Sequence, residues 1–200
     1  PVNESSTTAE ILTSMPWAGL NLVRCGLGKW NRLFHEASRL CEEIQRGKKP
    51  GRKHNTMRRT LIHMAITRDD RLLELAEKYF SLGDILAIWQ RMIGTGLIGG
   101  KSVGMLLSRA ILEKTQPRWK NLLEAHDSFY IGSDVFYSFL VENGCWWLRL
   151  KQHDRKAYLD DIDEARRRMI TGTFPESILQ EFSEMLDYFG QSPIIVRSSS

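Results

Sequence analysis

The chain has 200 residues, of which 42% are hydrophobic and 26% are charged, and its net charge is +4. These values are ordinary for a soluble globular protein of one or two domains. No apolar run is long enough to cross a bilayer and no N-terminal signal pattern is present, so we expect no membrane partner. Three widely spaced cysteines form neither a disulfide framework nor a metal-binding CxxC pair, which favours a reducing cytoplasm. The chain begins at Pro1 and stops in three serines, so we expect a piece of a longer protein.

Residues 1–93 are predicted to form a helical region without a catalytic constellation. One helical stripe begins at Trp30 and ends near Gly47, and a second helix closes near Gly83. The stripes are formed by Trp30, Phe34, Ala37, Cys41 and Ile44 in the first helix, and by Leu72, Leu75, Ala76 and Tyr79 in the second.

A basic run follows the first helix. It holds seven Lys or Arg residues between Arg46 and Arg59, and it is broken by Pro50 and Gly51. Such a run can bind an anion or a nucleic acid, or it can be a solvated linker. No aromatic residues interleave with the charges, as base stacking would require, so we predict a linker and do not expect nucleic acid as a partner.

The chain is organised around a glycine-rich stretch, Gly94-Thr95-Gly96-Leu97-Ile98-Gly99-Gly100-Lys101-Ser102. Glycines let backbone N–H groups approach an anion closely, and Lys101 adds a mobile positive charge. Apolar residues at helical spacing follow, and Ser102 is a candidate N-cap, so a helix dipole would point at the same place. The stretch is either a phosphate site or a hinge between two helices.

Two standard nucleotide motifs do not fit the stretch. The Walker pattern needs glycine where Thr95 stands. Gly94, Gly96 and Gly99 match the dinucleotide fingerprint, but that fingerprint must follow a strand. The preceding residues, up to and including Met92, have helical spacing instead.

The second half of the chain mixes helices with short strands. Residues 128–131 and 194–196 are strand candidates, and the second is predicted to be buried because it is β-branched. A helix capped by Ser133 ends at Gly144, and another runs from Pro175 to Gly190. Four apolar residues are predicted to belong to the core: Trp146, Trp147, Leu148 and Leu150. A further helix carries Tyr158, Ile162, Ala165 and Met169, and its acidic residues Asp160, Asp161, Asp163 and Glu164 are predicted to be a solvated face rather than a metal site.

Two motifs, taken together, resemble the N-terminal nucleotide-binding domain of pyruvate phosphate dikinase and phosphoenolpyruvate synthase. Gly99-Gly100-Lys101 opens a helix, and Ile194-Ile195-Val196-Arg197-Ser198-Ser199 closes a strand. Between them, Phe139-Leu140-Val141-Glu142-Asn143-Gly144 and the helix from Phe174-Pro175-Glu176 to Gly190 match family segments in the same order. The resemblance covers residues 94–200. It implies an α+β fold, with the helical region followed by the first part of an ATP-grasp domain.

The resemblance also implies site residues. Lys101 and Arg197 would contact the phosphates of ATP as catalytic cations, and Gly99, Gly100, Ser102 and Ser198 would complete the nucleotide site. Two fixed cations and backbone N–H groups neutralise charge on a phosphoryl group in transfer. We also predict that a β-carbon at Gly99 or Gly100 would disturb the site. The family usually has glycine where Ser102 stands, and residues 127–132 replace its Pro-Gly-Phe strand.

The implied function is that of a phosphotransferase fragment. ATP would pass phosphate through a downstream histidine to pyruvate, giving phosphoenolpyruvate, or to a similar acceptor. The Mg²⁺ ligands, the histidine and the acceptor domains would lie beyond residue 200, so this piece alone is expected to be inactive. The alternative is a non-catalytic nucleotide-sensing or protein-interaction module of the same fold. The sequence leaves open whether the protein forms a homo-oligomer.

Overall fold

The structure is a computed structural model that describes residues 28–124, 126–151 and 161–198. These residues divide into two compact units. The first unit contains residues 28–91, 100–124 and 126–128, and the second contains residues 92–99, 129–151 and 161–198. Within the part described, no helix has the length and apolar character needed to cross a membrane.

The first unit is built from helices. They are α1 (Lys29–Gln45), α2 (Arg52–Leu61), a π-helical turn (Ile62–Ile66), α3 (Asp70–Tyr79), α4 (Leu82–Gln90), α5 (Gly100–Thr115) and α6 (Trp119–Leu122). The predicted first helix is confirmed, and its stripe buries Phe34 and Ala37 completely. The Phe34 ring stacks on Trp89 of α4, with centroids 4.2 Å apart. The stripe of α1 therefore contributes to the core of the unit, as its spacing predicts. The stripe predicted for the second helix is confirmed only at Ala76: Leu75 is exposed, and Leu73 is buried instead.

The linker prediction for the basic run is wrong from Arg52 onward, because this part of the run forms α2. Its buried residues, Met57 and Leu61, give α2 an apolar face. Its charges meet carboxylates of neighbouring helices: Lys53 lies 2.7 Å from Glu36, and Arg59 lies 3.0 Å from Glu77. These ion pairs could not be predicted from the basic run itself, because the acidic partners lie on other helices.

The helix around Tyr79 ends earlier than predicted. It stops at Tyr79, and Ser81 caps a new helix through a reciprocal capping box with Asp84. Gly83 therefore lies in the first turn of α4 instead of ending α3. The helix after the glycine-rich stretch, α5, ends at Thr115, before Pro117 as predicted.

The second unit combines two short strands with helices. Its elements are β1 (Met92–Ile93), β2 (Tyr130–Ile131), α7 (Ser133–Glu142), α8 (Trp146–Lys151), α9 (Ile162–Thr171) and α10 (Glu176–Phe189). The strands are parallel, with Met92 opposite Tyr130 and Ile93 opposite Ile131. The strand predicted within residues 128–131 is thus confirmed in shorter form. Met92, assigned to a helix from the sequence, lies in a strand that enters the glycine-rich stretch.

Buried side chains from three elements form the core of the second unit. Ile93 of β1, Val135 of α7 and Ile178 of α10 are buried together. Phe174 and Phe182 pack against them and contact each other with ring centroids 5.5 Å apart. Parallel strands need a crossover connection between them. The helix α10 packs against β1, the strand from which this connection begins.

Asn143 bonds the end of α7 to the segment that precedes α10, and Gly144 bonds it to α9. Asn143 Nδ2 donates to the carbonyls of Phe139, at 2.8 Å, and Thr173, at 2.9 Å, while its Oδ1 accepts from the Thr173 N–H. Gly144 has φ of +60°, which confirms it as the stop of α7. Arg168 of α9 donates to the Gly144 carbonyl at 2.9 Å.

Two predictions of burial in the second unit are wrong. No residue of α8 is buried, and Trp146 and Leu150 are 42% and 68% exposed. Residues 194–196 form no strand, and Ile195 and Val196 are exposed. A strand is buried only when neighbouring backbone pairs with it, and within the described residues no segment does so.

Two acidic residues, Asp161 just before α9 and Glu164 within it, pair with basic residues on the surface. Asp161 lies 2.7 Å from Lys151, and Glu164 binds Arg167 and Arg168, each at 2.6 Å. The two arginines, Arg167 first, lower the pKa of Glu164 to about 2. This agrees with a solvated face; Tyr158 and Asp160 lie outside the described residues.

Candidate functional site: the glycine-rich loop

The glycine-rich loop leaves β1 at Gly94 and leads into α5 at Gly100. Residues 94–97, here called the first segment, are bound by the second unit's own polar side chains. Three residues supply these acceptors: Ser133 and Asp134 at the start of α7, and Glu181 of α10. We call them the acceptor group.

Asp134 binds Thr95 through both of its carboxylate oxygens. Oδ1 accepts from the Thr95 N–H at 2.6 Å, and Oδ2 accepts from the Thr95 hydroxyl at 2.7 Å. In return, the Asp134 N–H donates to the Thr95 carbonyl at 3.3 Å. Bonds to an ionised acceptor are stronger than those between neutral groups, so Thr95 is the most firmly held residue of the first segment.

Ser133 and Glu181 hold the two ends of the first segment. The Ser133 hydroxyl accepts from the Leu97 N–H at 3.1 Å, and the Ser133 N–H donates to the Leu97 carbonyl at 3.0 Å. Glu181 accepts from the Gly94 N–H at 2.6 Å. The prediction of Ser133 as the N-cap of α7 is therefore wrong. Gly132 is the N-cap, and the Ser133 side chain binds the loop instead.

The glycines of the first segment are needed for contact with the protein itself. Gly96 has φ of +88°, and a β-carbon there would lie 2.5 Å from the Ser133 hydroxyl. Gly94 has φ of +69°, and its β-carbon would lie 2.7 Å from an Asp134 oxygen. Gly132 approaches from the other side, and a β-carbon there would overlap the Thr95 carbonyl.

Residues 99–102, here called the second segment, contain the predicted phosphate-binding residues. Gly99 is half-buried and Lys101 is exposed. The prediction for Ser102 as N-cap is wrong, because α5 begins two residues earlier, at Gly100. Apart from the adjoining residues and the backbone of α5 itself, no described atom lies within 4 Å of a β-carbon built at Gly100. The predicted effect of a β-carbon there concerns a bound nucleotide and stays a prediction.

Arg197 and Ser198 lie in the second unit, at the end of the described chain. Both are exposed, and neither lies in a strand. Lys101 belongs to the first unit, so each cation is described within its own unit. Their convergence on one phosphate group stays a prediction.

The described residues bring no three His, Cys, Asp or Glu side chains together as a metal site. Magnesium ligands beyond residue 200, as the resemblance implies, stay a prediction.

Sequence reasoning missed the acceptor group. Asp134 follows Gly132 and Ser133 at a helix start, where an acidic residue is ordinarily explained by the helix dipole. Glu181 lies 87 residues from its partner Gly94. The sequence of an amphipathic helix does not show which of its polar residues will bind a distant backbone N–H group. Only the structure identifies Glu181 as such a residue.

A strand, a glycine-rich loop and a helix in this order are typical of proteins that bind nucleotide phosphates. Comparison with known families matches residues 95–200 to the family described as pyruvate phosphate dikinase, AMP/ATP-binding domain. This match covers more than half of the chain, which therefore belongs to that family, as the resemblance predicted. No curated protein and no solved structure matches the chain.

Proposed function

We propose that the chain binds ATP with its phosphates at the second segment, residues 99–102, as the nucleotide site of a dikinase-like phosphotransferase. The observation that carries this proposal is the division of the loop. Gly94, Thr95 and Leu97 give their N–H groups to the acceptor group, so these donors are already used. The second segment contains the start of α5, the end of a helix whose dipole favours an anion.

The second segment also has the charge and the space that a phosphate needs. Its Lys101 is an exposed cation in the first turn of a 16-residue helix, whose positive dipole end favours an anion. The open space at Gly100 leaves the backbone accessible to a phosphate oxygen. The match to a family described as an AMP/ATP-binding domain supports ATP as the nucleotide.

We assign Arg197 and Ser198 to the same phosphates. Arg197 is exposed, and a guanidinium can bind two phosphate oxygens at once, whereas Lys101 acts as a point charge. The specific reaction that we propose is phosphoryl transfer from ATP through a downstream histidine to pyruvate or a similar acceptor. Its further domains would lie beyond residue 200, and its place would be the cytoplasm.

The test of this proposal is ATP affinity by calorimetry for Lys101→Ala, Arg197→Ala and the double variant. Each single change should cost about 1.5–3 kcal/mol if it removes one charge-assisted bond to phosphate, which is roughly 10- to 150-fold in affinity. The double variant should lose less than the sum, because both cations act on one charge cluster. Lys114→Ala, in the last turn of α5, is the matched control and should bind ATP normally.

Small, additive losses would contradict a shared phosphate site. ATP binding without phosphoryl transfer in the complete protein would favour the alternative, a nucleotide-sensing module.

A further inference from the structure

We propose that Asp134 is a positioning residue for the nucleotide loop, an inference that rests on the proposed function. It does not contact the phosphates. Asp134 holds Thr95 through hydrogen bonds. The position of Thr95 in turn sets the path of the chain into residues 99–102.

The contacts between the loop and α7 are reciprocal. Thr95 and Asp134 exchange backbone and carboxylate bonds, and Leu97 and Ser133 exchange backbone and hydroxyl bonds two residues further along. Thr95 and Leu97 therefore each donate to and accept from one residue of α7. This pattern defines a single register of the loop on α7, because a shift by one residue would break both exchanges.

Asp134 contributes more to this register than Ser133 does. Its carboxylate takes two donors from Thr95, at 2.6 and 2.7 Å, whereas the Ser133 hydroxyl takes one donor, at 3.1 Å. Thr95 is half-buried, so water competes only partly for these donors. Only four residues separate Thr95 from Gly100, and displacement of Thr95 would therefore alter the path of the chain into the second segment.

The carboxylates also exclude phosphate from the first segment. Glu181 and Asp134 place negative charge on the N–H groups of Gly94 and Thr95. An anion entering there would have to displace them against like-charge repulsion. Gly94, Gly96 and Gly99 spell a dinucleotide fingerprint, yet the first two are committed to the protein's own contacts. The acceptor group therefore confines a phosphate to residues 99–102.

The experiment uses the whole chain and the variants Asp134→Ala and Asp134→Asn, with Asp187→Ala as the matched control. Asp187 is exposed on α10 of the same unit. Two quantities are measured: amide hydrogen exchange of Thr95 and Leu97 without nucleotide, and the affinities for ATP and for adenosine by NMR titration. Adenosine lacks the phosphates, so it reports on the rest of the site.

We expect Asp134→Ala to speed exchange at Thr95 and Leu97. It should weaken ATP binding by about tenfold or more, as for the loss of a bond to a charged group, and leave adenosine binding unchanged. Asp134→Asn keeps one acceptor for the Thr95 N–H and should fall between Asp134→Ala and the unmodified chain. Asp187→Ala should match the unmodified chain in both measurements.

Four results would overturn the inference. Equal losses for ATP and adenosine would make Asp134 merely structural, and tighter ATP binding would make its charge a repulsive element only. Unchanged exchange would show that Asp134 does not hold the loop. Unchanged ATP affinity with faster exchange would leave the proposed function intact and remove the positioning role. Failure of the unmodified chain to bind ATP would instead reject the proposed function, and the inference with it.

Discussion

The two segments of the glycine-rich loop each contain two glycines, but their environments differ. Residues 94–97 are bound by the acceptor group, and β-carbons at Gly94 and Gly96 would lie within 3 Å of protein atoms. In the second segment, a β-carbon at Gly100 meets no described atom within 4 Å. Glycine serves the protein's own packing in the first case and adjoins open space in the second. A glycine pattern alone therefore cannot locate a phosphate.

The largest effect that this comparison predicts is for Gly132→Ala. The new methyl group would overlap the Thr95 carbonyl, and the Gly132 N–H also donates to the Ile93 carbonyl beside the strand pair. Neither side can move without loss of these bonds, so we expect a loss of unfolding free energy on the order of 3 kcal/mol or more. Urea denaturation measures it.

Gly104→Ala is the control for this change, because Gly104 lies inside α5 with no described atom within 4 Å of a β-carbon. Alanine there should raise stability by up to about 1 kcal/mol, the helix propensity difference. If both variants denature alike, the close approach of α7 to the loop is wrong.

The next largest effect is for Asn143→Ala, which tests Asn143 as a structural element of the second unit. The change removes three hydrogen bonds, to Phe139 and to both backbone groups of Thr173. We expect a loss of about 2 kcal/mol, because the Thr173 groups lose their partner. Asn121→Ala, an exposed position in α6, should be close to neutral. Equal melting temperatures for the two variants would count against this role.

Gly100→Ala separates the two segments most cleanly. Its stability should stay the same or rise by about 0.4–1 kcal/mol, because alanine restricts the unfolded chain and fits the helix start. ATP affinity should fall, because the methyl group occupies space assigned to a phosphate. Thermal unfolding and calorimetry on one sample measure both. A stable variant with normal ATP affinity would place the phosphate elsewhere.

The smallest effect concerns the surface of the second unit and is a pH dependence. Arg167 and Arg168 lower the pKa of Glu164 to about 2, from an ordinary value of 4.5. A lowered pKa in the folded state means that the stabilisation is present above pH 4.5 and is lost as the pH falls towards 2. The melting temperature of Glu164→Gln should therefore lie slightly below that of the unmodified chain at pH 7 and approach it by pH 2. A constant difference would contradict the ion pairs.

Local patterns predicted the elements of this fold well where one element explains its own residues. The stripe from Trp30 to Ile44 and the left-handed stops at Gly144 and Gly190 depend on neighbours in sequence, and the structure confirms them. Burial of Trp146 and Val196 was predicted wrongly, because burial depends on which segments pack there. Apolar composition does not report that.

The candidate site was predictable only in part for the same reason. Family membership followed from the order of several motifs along the chain, which the family comparison confirms. The acceptor group did not follow, because Asp134 and Glu181 act on backbone N–H groups 39 and 87 residues away. Backbone donors are the same in every sequence, so no residue pattern identifies their partners.

The most direct test of the account follows the backbone amides of the labelled chain by NMR as ATP is added. We expect the amide signals of Gly99, Gly100 and Lys101 to shift with ATP and not with adenosine. The amides of Thr95 and Leu97, which donate to Asp134 and Ser133, should exchange slowly throughout. Phosphate-dependent shifts at Thr95 and Leu97, with none at residues 99–102, would contradict the division of the loop on which the account depends.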